Sequence, residues 1–430
     1  MIRRPAQRLA ALLVAALPLI ASCSLDNQTI GSPATPSGGS DFRTYAAIGT
    51  NIGAGIQSGG INDSTQREAY TTQLAVAMGL TPNVNWFYPS FAGNGCPAPL
   101  TNALTGARVG GTSPACAFRT PSTVRALENN VSIPSLRAAQ ALNLTNLDFP
   151  ATDSLKLAQF ITGSRNPIDV VEALGPTFIT VEVGANDVLG AATRGDITLL
   201  TPSASFATTM DALAARLDGT GAKVAIANVP NVTSIPHFTR ASILWCLKTG
   251  ACPGVPATVP FSLGSFSIDN SCAPAAAVPG AIGDTYLLTF STLGGVVGTL
   301  SAGRFASVNC ATDQVLLAPA ATPTVPSVPA GATITPAELT AINAAVAAFN
   351  TKIAAIATAH GYALVDFAAL LAAQAANIPP IPSFGTPTKL FGTLFSQDGI
   401  HPAKAGQKII ANGFIAAINA KFGTTLTAIP

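Results

Sequence analysis

The sequence RTYAAIGTNIGAG, residues 43–55, joins the apolar run of a buried strand to a glycine-rich loop. A helical pattern, REAYTTQLAVAMGL, follows at residues 67–80. Thr65 and Glu68 have the spacing of a capping box and predict the start of that helix. Strand, loop and helix in this order form the repeating unit of parallel α/β sheets.

Three more strand candidates each follow a helical segment: residues 176–183 (PTFITVEV), 223–228 (KVAIAN) and 362–367 (YALVDF). The preceding helices are predicted at 167–174, at 206–219 with Ser203 or Ser205 as the cap, and at 336–360. A last helix begins near Pro402. The alternation predicts an α/β fold with a parallel sheet, helices on both faces and sites at the carboxyl ends of the strands.

Two long segments interrupt the alternation. Residues 229–335 show no strong period and contain four cysteines and a Pro/Ala-rich tract, and residues 81–130 contain an aromatic run and two cysteines. One domain over residues 42–420 with these two insertions accounts for the length of 430 residues, as would two domains. Residues 421–430 are expected to form a C-terminal tail.

Composition excludes some functional classes. Charged residues make up 10% of the chain and hydrophobic residues 48%, which favours a large core over disorder. Loss of residues 1–22, with their three arginines, would change the net charge from +2 to −1. A nearly neutral surface offers no electrostatic basis for binding nucleic acid.

The N-terminus is typical of an exported protein. Three arginines precede an apolar run at residues 9–20, which predicts a signal peptide over residues 1–22. This run is shorter than the roughly 20 residues of a membrane-spanning helix. The sequence IASC, ending at Cys23, resembles the bacterial lipobox, which implies acylation of Cys23 and anchoring in the cell envelope, at the outer membrane. An ordinary secretory signal is the alternative; residues 23–41 read as a flexible tether.

Six cysteines follow Cys23, an even number that favours disulfides in an exported chain. Many pairings are possible and the sequence does not choose among them. Three pairings would each close a local loop: Cys96–Cys116, Cys246–Cys252 and Cys272–Cys310. Zinc binding is the alternative, but there is no CxxC pair or nearby histidine, so no metal is expected.

Three short blocks lie where loops meet strands or helices: GTNIGAG at 49–55, GAND at 184–187 and DGIHP at 398–402. In order and position they resemble the G-D-S-L, G-x-N-D and D-x-x-H-P blocks of the SGNH (GDSL) hydrolase superfamily over about residues 42–420. The resemblance implies a three-layer, doubly wound, flavodoxin-like parallel sheet. It also implies serine ester hydrolase activity on acyl esters of lipid or carbohydrate, without a cofactor.

The last block suits a base and the group that orients it. Three residues apart on a tight turn, Asp398 can accept a hydrogen bond from one ring nitrogen of His401 and leave the other facing the site. The resemblance makes His401 the general base. The alternative is a simple helix entry, with Pro402 at the first helical position. His237 and His360 have no comparable setting and are expected to be structural.

The GAND block and the segment 129–135 supply oxyanion donors that the resemblance implies, and the position of Asn51 is a further one. Asn186 matches the asparagine whose amide donates to the oxyanion, and Gly184 gives the backbone room beside it. Asn186 as a turn cap is the alternative. A second donor, a backbone N–H, is expected in residues 129–135, with Ser135 at the family's glycine position.

Asn51 stands where the family has its nucleophilic serine. Its amide has no hydroxyl for His401 to activate, so the acyl-enzyme of the family route cannot form there. Thr50, Ser58 and Ser135 are the candidate replacement nucleophiles. The sequence thus allows an ester hydrolase with a substitute nucleophile or activated water, or an inactive surface lipoprotein that binds an acylated glycan or lipid. A purely structural envelope protein would not need the intact GAND and DGIHP blocks.

Overall fold

The computed structural model describes residues 36–91, 93–111, 127–144, 152–163, 165–252, 262–317 and 333–430, with the backbone alone for 152–156. The predicted signal peptide, Cys23, Cys116 and residues 318–332 of the Pro/Ala-rich tract lie outside these ranges. Residues 36–41, at the end of the predicted tether, pack against the domain. Gly38 N–H donates to Met78 O at 3.1 Å, and Asp41 forms an ion pair with Lys223.

The described strands are β1 Tyr45–Ile48, β2 Leu100–Asn102, β3 Ala107–Arg108, β4 Phe178–Val181, β5 Lys223–Ala227, β6 Phe238–Arg240, β7 Phe266–Ile268, β8 Leu287–Thr289, β9 Ala306–Asn309, β10 Gln314–Leu317, β11 Thr333–Ile334 and β12 Ala363–Val365. The described helices are α1 Asn51–Ala54, α2 Asp63–Glu68, α3 Tyr70–Ala77, α4 Ala138–Leu142, α5 Thr152–Thr162, α6 Pro167–Leu174, α7 Asn186–Arg194, α8 Ser203–Gly219, α9 Ala241–Thr249, α10 Phe290–Ser301, α11 Pro336–His360, α12 Phe367–Ala372 and α13 Lys404–Phe422.

The central sheet is parallel, as predicted. In the described part of the chain its strand order is β1-β4-β5-β12. The extended segment 129–133 runs parallel beside the other edge of β1, where Ala47 N–H donates to Asn129 O and Val131 N–H donates to Ala47 O, both at 2.9 Å. If the segment 129–133 is counted as the second strand in the chain, and β4, β5 and β12 as the third, fourth and fifth, the order across the sheet is 2-1-3-4-5. Its order reverses between β1 and β4, which is where open α/β sheets form their ligand crevice.

Both faces of the sheet are buried. Along β1, Ala46 and Ile48 point into one apolar cluster, while Tyr45 and Ala47 point into another, because successive strand side chains alternate between faces. Helices α6, α7, α8 and α11 contribute to the first cluster, and α3, α12 and α13 contribute to the second. The prediction of helices on both faces is confirmed.

Two predicted helix starts are wrong. The capping box at α2 joins Asn62 to Thr65 rather than Thr65 to Glu68, and the extended backbone of Ala69 (ψ 144°) separates α2 from α3. Helix α8 begins at Ser203 itself, without a side-chain cap. Pro202 precedes it, so neither serine is placed to cap it. Caps depend on backbone geometry that a spacing pattern does not contain.

Helices α6 and α11 have the predicted bounds. Thr335 and Glu338 form a capping box at the start of α11. This helix is long and apolar enough to cross a membrane by length and composition. Ile342, Phe349 and Ile353 are nevertheless buried in the cluster on one face of the sheet, so α11 acts here as a core helix.

The segment 229–335 forms small antiparallel and mixed sheets beside the central one. Strands β11, β8 and β6 make one sheet, and β10, β9 and β7 make another, within the described residues. Disulfides join Cys246 to Cys252 and Cys272 to Cys310, which confirms the expectation of disulfides. Cys96 is also disulfide-bonded.

Candidate active site

Asp398 and His401 form a hydrogen-bonded pair in the turn before α13. His401 Nδ1 lies 2.8 Å from Asp398 Oδ2, and Asp398 Oδ1 accepts the backbone N–H groups of Ile400 and His401 at 2.9 Å. The side chains are only 10% exposed for His401 and 13% for Asp398. The tight turn thus brings the carboxylate and the imidazole together, as the D-x-x-H spacing predicts.

The surroundings of Asp398 keep it ionised. Burial raises the pKa of its carboxyl, but electrostatic attraction to His401 and hydrogen bonds from His401 and Ile400 outweigh burial and hold the pKa well below its usual range. Ser396 Oγ and Gly59 N–H also donate to the carboxylate, at 3.1 and 2.5 Å. Since an ionised Asp398 can only accept, His401 Nδ1 carries a proton, and in the neutral ring Nε2 is an acceptor.

Asn51 is the first residue of α1, directly after β1, and its amide contacts two groups. Ser135 N–H donates to Asn51 Oδ1, which fixes the amide orientation because a backbone N–H can only donate. Asn51 Nδ2 therefore donates to His401 Nε2, at 2.8 Å. The tautomer required by Asp398 and the amide orientation required by Ser135 agree.

Ser135 reaches the site through its backbone. The segment 129–133 ends beside the carboxyl end of β1, where Ile133 N–H donates to Gly49 O at 3.1 Å. Two residues later, Ser135 has a φ of 67°, in the left-handed region that favours glycine. A glycine would adopt this conformation without the strain that the Ser135 side chain brings.

Asn186 begins α7 at the carboxyl end of β4. Its Nδ2 donates to Leu136 O at 3.0 Å, so the amide faces the segment that carries Ser135. Gly184, with a φ of 107°, leaves no room for a side chain, because a Cβ there would lie 2.7 Å from Val229 Cγ2. The GAND block thus lies beside the segment that carries Ser135.

The predicted replacement nucleophiles take other positions. Thr50 is 1% exposed and its hydroxyl donates to Glu182 at 2.8 Å. Ser58 accepts the backbone N–H of Gln397 at 3.2 Å, on the Asp398 side of the turn. Of the three candidates, Ser135 is the one that forms a hydrogen bond with the Asn51 side chain among the described residues, and its donor is the backbone N–H.

Glu182 is a buried carboxyl under the Asn51 turn that the sequence interpretation missed. Its oxygens accept Thr50 N–H at 2.9 Å, the Thr50 hydroxyl at 2.8 Å and Gly53 N–H at 3.4 Å. Burial raises the pKa of Glu182 to about 7, although these hydrogen bonds oppose the shift. An acidic residue at the end of the apolar run FITV was the signal that could have identified it.

His237 also lies at the site. Its backbone N–H donates to Gly399 O at 2.9 Å, and its Nδ1–H donates to Asp398 O at 3.0 Å. Burial lowers the pKa of His237, which favours the neutral ring. The insertion that carries His237 therefore holds the backbone of the Asp398 turn. No local pattern predicts this contact; His360, by contrast, pairs with Asp218 near the surface.

Within the described ranges, no group of three or more His, Cys, Asp or Glu residues could hold a metal ion. No family model, curated protein or solved structure matches this chain. The candidate site therefore stands on the geometry of its own residues.

Proposed function

We propose that this chain is an SGNH (GDSL)-type ester hydrolase scaffold in which Asn51 replaces the nucleophile. On this proposal the site binds an acyl ester of a lipid or glycan and does not turn it over by the acyl-enzyme route. One observation carries the proposal: the amide of Asn51 is hydrogen-bonded both to the base-like His401 and to the N–H of Ser135.

In a serine esterase, the group that faces the base and the group that accepts from the oxyanion donor are different. These two contacts of Asn51 correspond to those two groups. Asn51 Nδ2 faces His401 Nε2, where a serine hydroxyl would give up its proton. Asn51 Oδ1 accepts the Ser135 N–H, which would donate to the oxyanion of a bound ester. One side chain thus fills the positions of both the attacking atom and the oxyanion. An ester carbonyl can reach Ser135 only if the Asn51 amide turns away.

The proposal includes export and anchoring through acylated Cys23 in the bacterial outer membrane. The two described disulfides support an oxidising compartment, because such bonds are rare in the cytosol. Membrane lipid and an acylated ligand are then the expected partners.

A second candidate function is ester hydrolysis by water that His401 activates. The intact Asp398–His401 pair favours it, because that pair retains the arrangement of a general base and its orienting acid. This reaction needs the imidazole Nε2 to exchange the Asn51 amide for water.

The test measures hydrolysis of short-chain aryl esters by the purified chain and by Asn51→Ser, His401→Ala and the double variant. We expect no turnover by the parent, a gain in Asn51→Ser, and loss of that gain in the double variant. Restoring the nucleophile should raise the rate by at least about 10³-fold over the parent, since removing a catalytic serine costs more than this.

Parent turnover that His401→Ala abolishes would overturn the binding-only proposal in favour of activated water. A fluorophosphonate probe provides a separate check on the unmodified chain. Covalent labelling of Thr50, Ser58 or Ser135 would reveal a relocated nucleophile and also contradict the proposal.

A further inference from the structure

A large cavity lies between the 229–335 insertion and α12 with the turn that follows it. The cavity encloses about 1180 Å³ including its open mouth. Residues of the turn before β6, of β6 and of β8 line one side, and residues within 368–380 line the other. The residues of the candidate active site are not among those that line it, so the cavity needs an explanation of its own.

Much of the cavity wall is apolar. Large side chains from several elements contribute to it, among them Phe238, Ile243, Leu287, Leu371 and Ile378. Pockets of this kind bind small molecules through an apolar lining, and a few polar groups fix the orientation of the ligand. The lining therefore favours a ligand with a hydrocarbon or aromatic body, and the polar groups decide its chemical class.

Arg240 is the one charged residue that lines this cavity within the described chain. It ends β6 and lies on the same face of that strand as Phe238, because strand side chains alternate between faces. Its guanidinium has no acceptor and no carboxylate partner among the described residues, whereas Arg216 pairs with two carboxylates. The N–H donors of Arg240 therefore remain available to a ligand.

Two uncharged donors belong to residues that line the same cavity. Asn231 Oδ1 accepts the Thr233 N–H at 3.1 Å, which fixes the amide orientation because a backbone N–H can only donate. Asn231 Nδ2 and the Ser234 hydroxyl then have no acceptor among the described residues. No Asp or Glu of the described chain lines the cavity. It is therefore rich in side-chain donors and carries one positive charge.

We propose that this cavity binds an organic carboxylate, an apolar body whose single carboxylate group pairs with Arg240. The planar guanidinium matches a carboxylate through parallel N–H···O bonds. A phosphate monoester carries about two negative charges at neutral pH and would meet only one cation here, so the charge balance favours the carboxylate. This assignment does not depend on the ester chemistry proposed above.

The experiment is calorimetric titration of the purified chain with 2-naphthoate, 2-naphthyl phosphate and the uncharged 2-naphthamide. The three probes share one aromatic body and differ in the head group. Naphthoate should bind at least about tenfold more tightly than the amide, because hydrogen bonds to charged groups contribute more than neutral ones. Equal affinities for naphthoate and naphthamide, tighter binding of the phosphate, or no binding of naphthoate would each overturn the proposal.

Removal of the charge tests the pairing with Arg240. Arg240→Gln should weaken naphthoate binding at least about tenfold and leave naphthamide binding unchanged. Arg304→Gln removes the same charge at an exposed position outside the lining and should bind both probes like the parent. Parental affinity for naphthoate in Arg240→Gln would contradict the assignment.

A second variant fills the cavity and leaves its donors in place. Ala372→Trp, at the end of α12, should weaken binding of naphthoate and naphthamide alike, at least about tenfold. Ala373→Trp adds the same indole at the next residue, which is exposed and outside the lining, and should bind like the parent. Equal naphthoate affinity in these two variants would show that the carboxylate binds elsewhere.

Discussion

The two turns that meet at the Asn51–His401 hydrogen bond differ in what they retain. The turn before α13 has both parts of an acid–base pair, with Asp398 fixed by backbone N–H groups and by His237. The turn after β1 has a firmly held backbone, since Glu182 accepts from Thr50 and Gly53, but it carries an amide where a hydroxyl would be needed.

The difference shows that the backbone of the first turn does not depend on the side chain of residue 51. Its hydrogen bonds to Glu182 involve Thr50 and Gly53, and its packing involves Gly49, where a Cβ would lie 2.6 Å from Ser132 Oγ. We therefore expect the turn to survive a change of residue 51. A substitution there should alter the chemistry and leave the scaffold in place.

The largest effect should come from breaking the second turn after restoring the first. In an Asn51→Ser background, Asp398→Asn should lower ester hydrolysis about 10⁴-fold, because the imidazole loses the partner that sets its tautomer. Initial rates on an aryl ester measure this. Asp211→Asn, at a 59% exposed surface position, is the control and should retain the rate. Equal rates in the two variants would show that Asp398 does not orient the base.

The next effect concerns pH and the buried Glu182. Its native pKa of about 7 exceeds the usual 4.5, so between these values the native state holds a proton that the unfolded state has lost. The free energy of unfolding should therefore fall by ~3 kcal/mol as the pH rises through this window, and stay level above it.

Glu182→Gln cannot ionise and should lack this slope in urea unfolding measured at a series of pH values. Glu172→Gln, at a partly exposed ion pair, should retain it. A slope of the same size in Glu182→Gln would mean that another group causes the pH dependence.

A smaller effect is expected when the support of the turn before α13 is removed, and it should appear in the free energy of unfolding. His237→Ala removes the donor to the Asp398 carbonyl and leaves that partly buried oxygen unpaired, which should lower the free energy of unfolding by about 1–3 kcal/mol. His360→Ala, at a surface ion pair, should change it by about 0.5 kcal/mol or less. The NMR signal of the His401 Nδ1 proton should shift in the first variant only. Equal unfolding curves for His237→Ala and the parent would show that His237 does not stabilise this turn.

The smallest effect is expected at Ser135. Its contribution is a backbone N–H in the left-handed region, so Ser135→Gly should keep hydrolysis by Asn51→Ser within a few-fold. Relief of the left-handed backbone and the added flexibility of glycine oppose each other, each at about 1 kcal/mol, and leave stability nearly unchanged. Thermal unfolding and ester assays measure both. A large loss of rate would assign a role to the Ser135 hydroxyl.

The fold class was predictable because its signals are local. Periodicity and flanking residues gave the bounds of α6 and α11 and the centres of the four sheet strands, and these depend on neighbours a few positions apart. The starts of α2 and α8 were not predicted correctly, because the cap at Asn62 and the uncapped start after Pro202 follow from backbone angles.

The candidate site was predictable in part. The Asp398–His401 contact spans three residues and follows from a turn. Glu182 and His237 were missed because their contacts join residues 132 and 161 positions apart, to Thr50 and Asp398. No pattern within a segment contains such a pair.

By itself, the sequence determined the order of strands and helices, the three blocks at their junctions and the amide at residue 51, since each is a property of one short segment. The tertiary structure decided how that amide is used. It brings Ser135, 84 positions away, and His401, 350 positions away, to the two ends of the Asn51 side chain. The parallel sheet, which gathers the carboxyl ends of its strands at one edge, brings these segments together there.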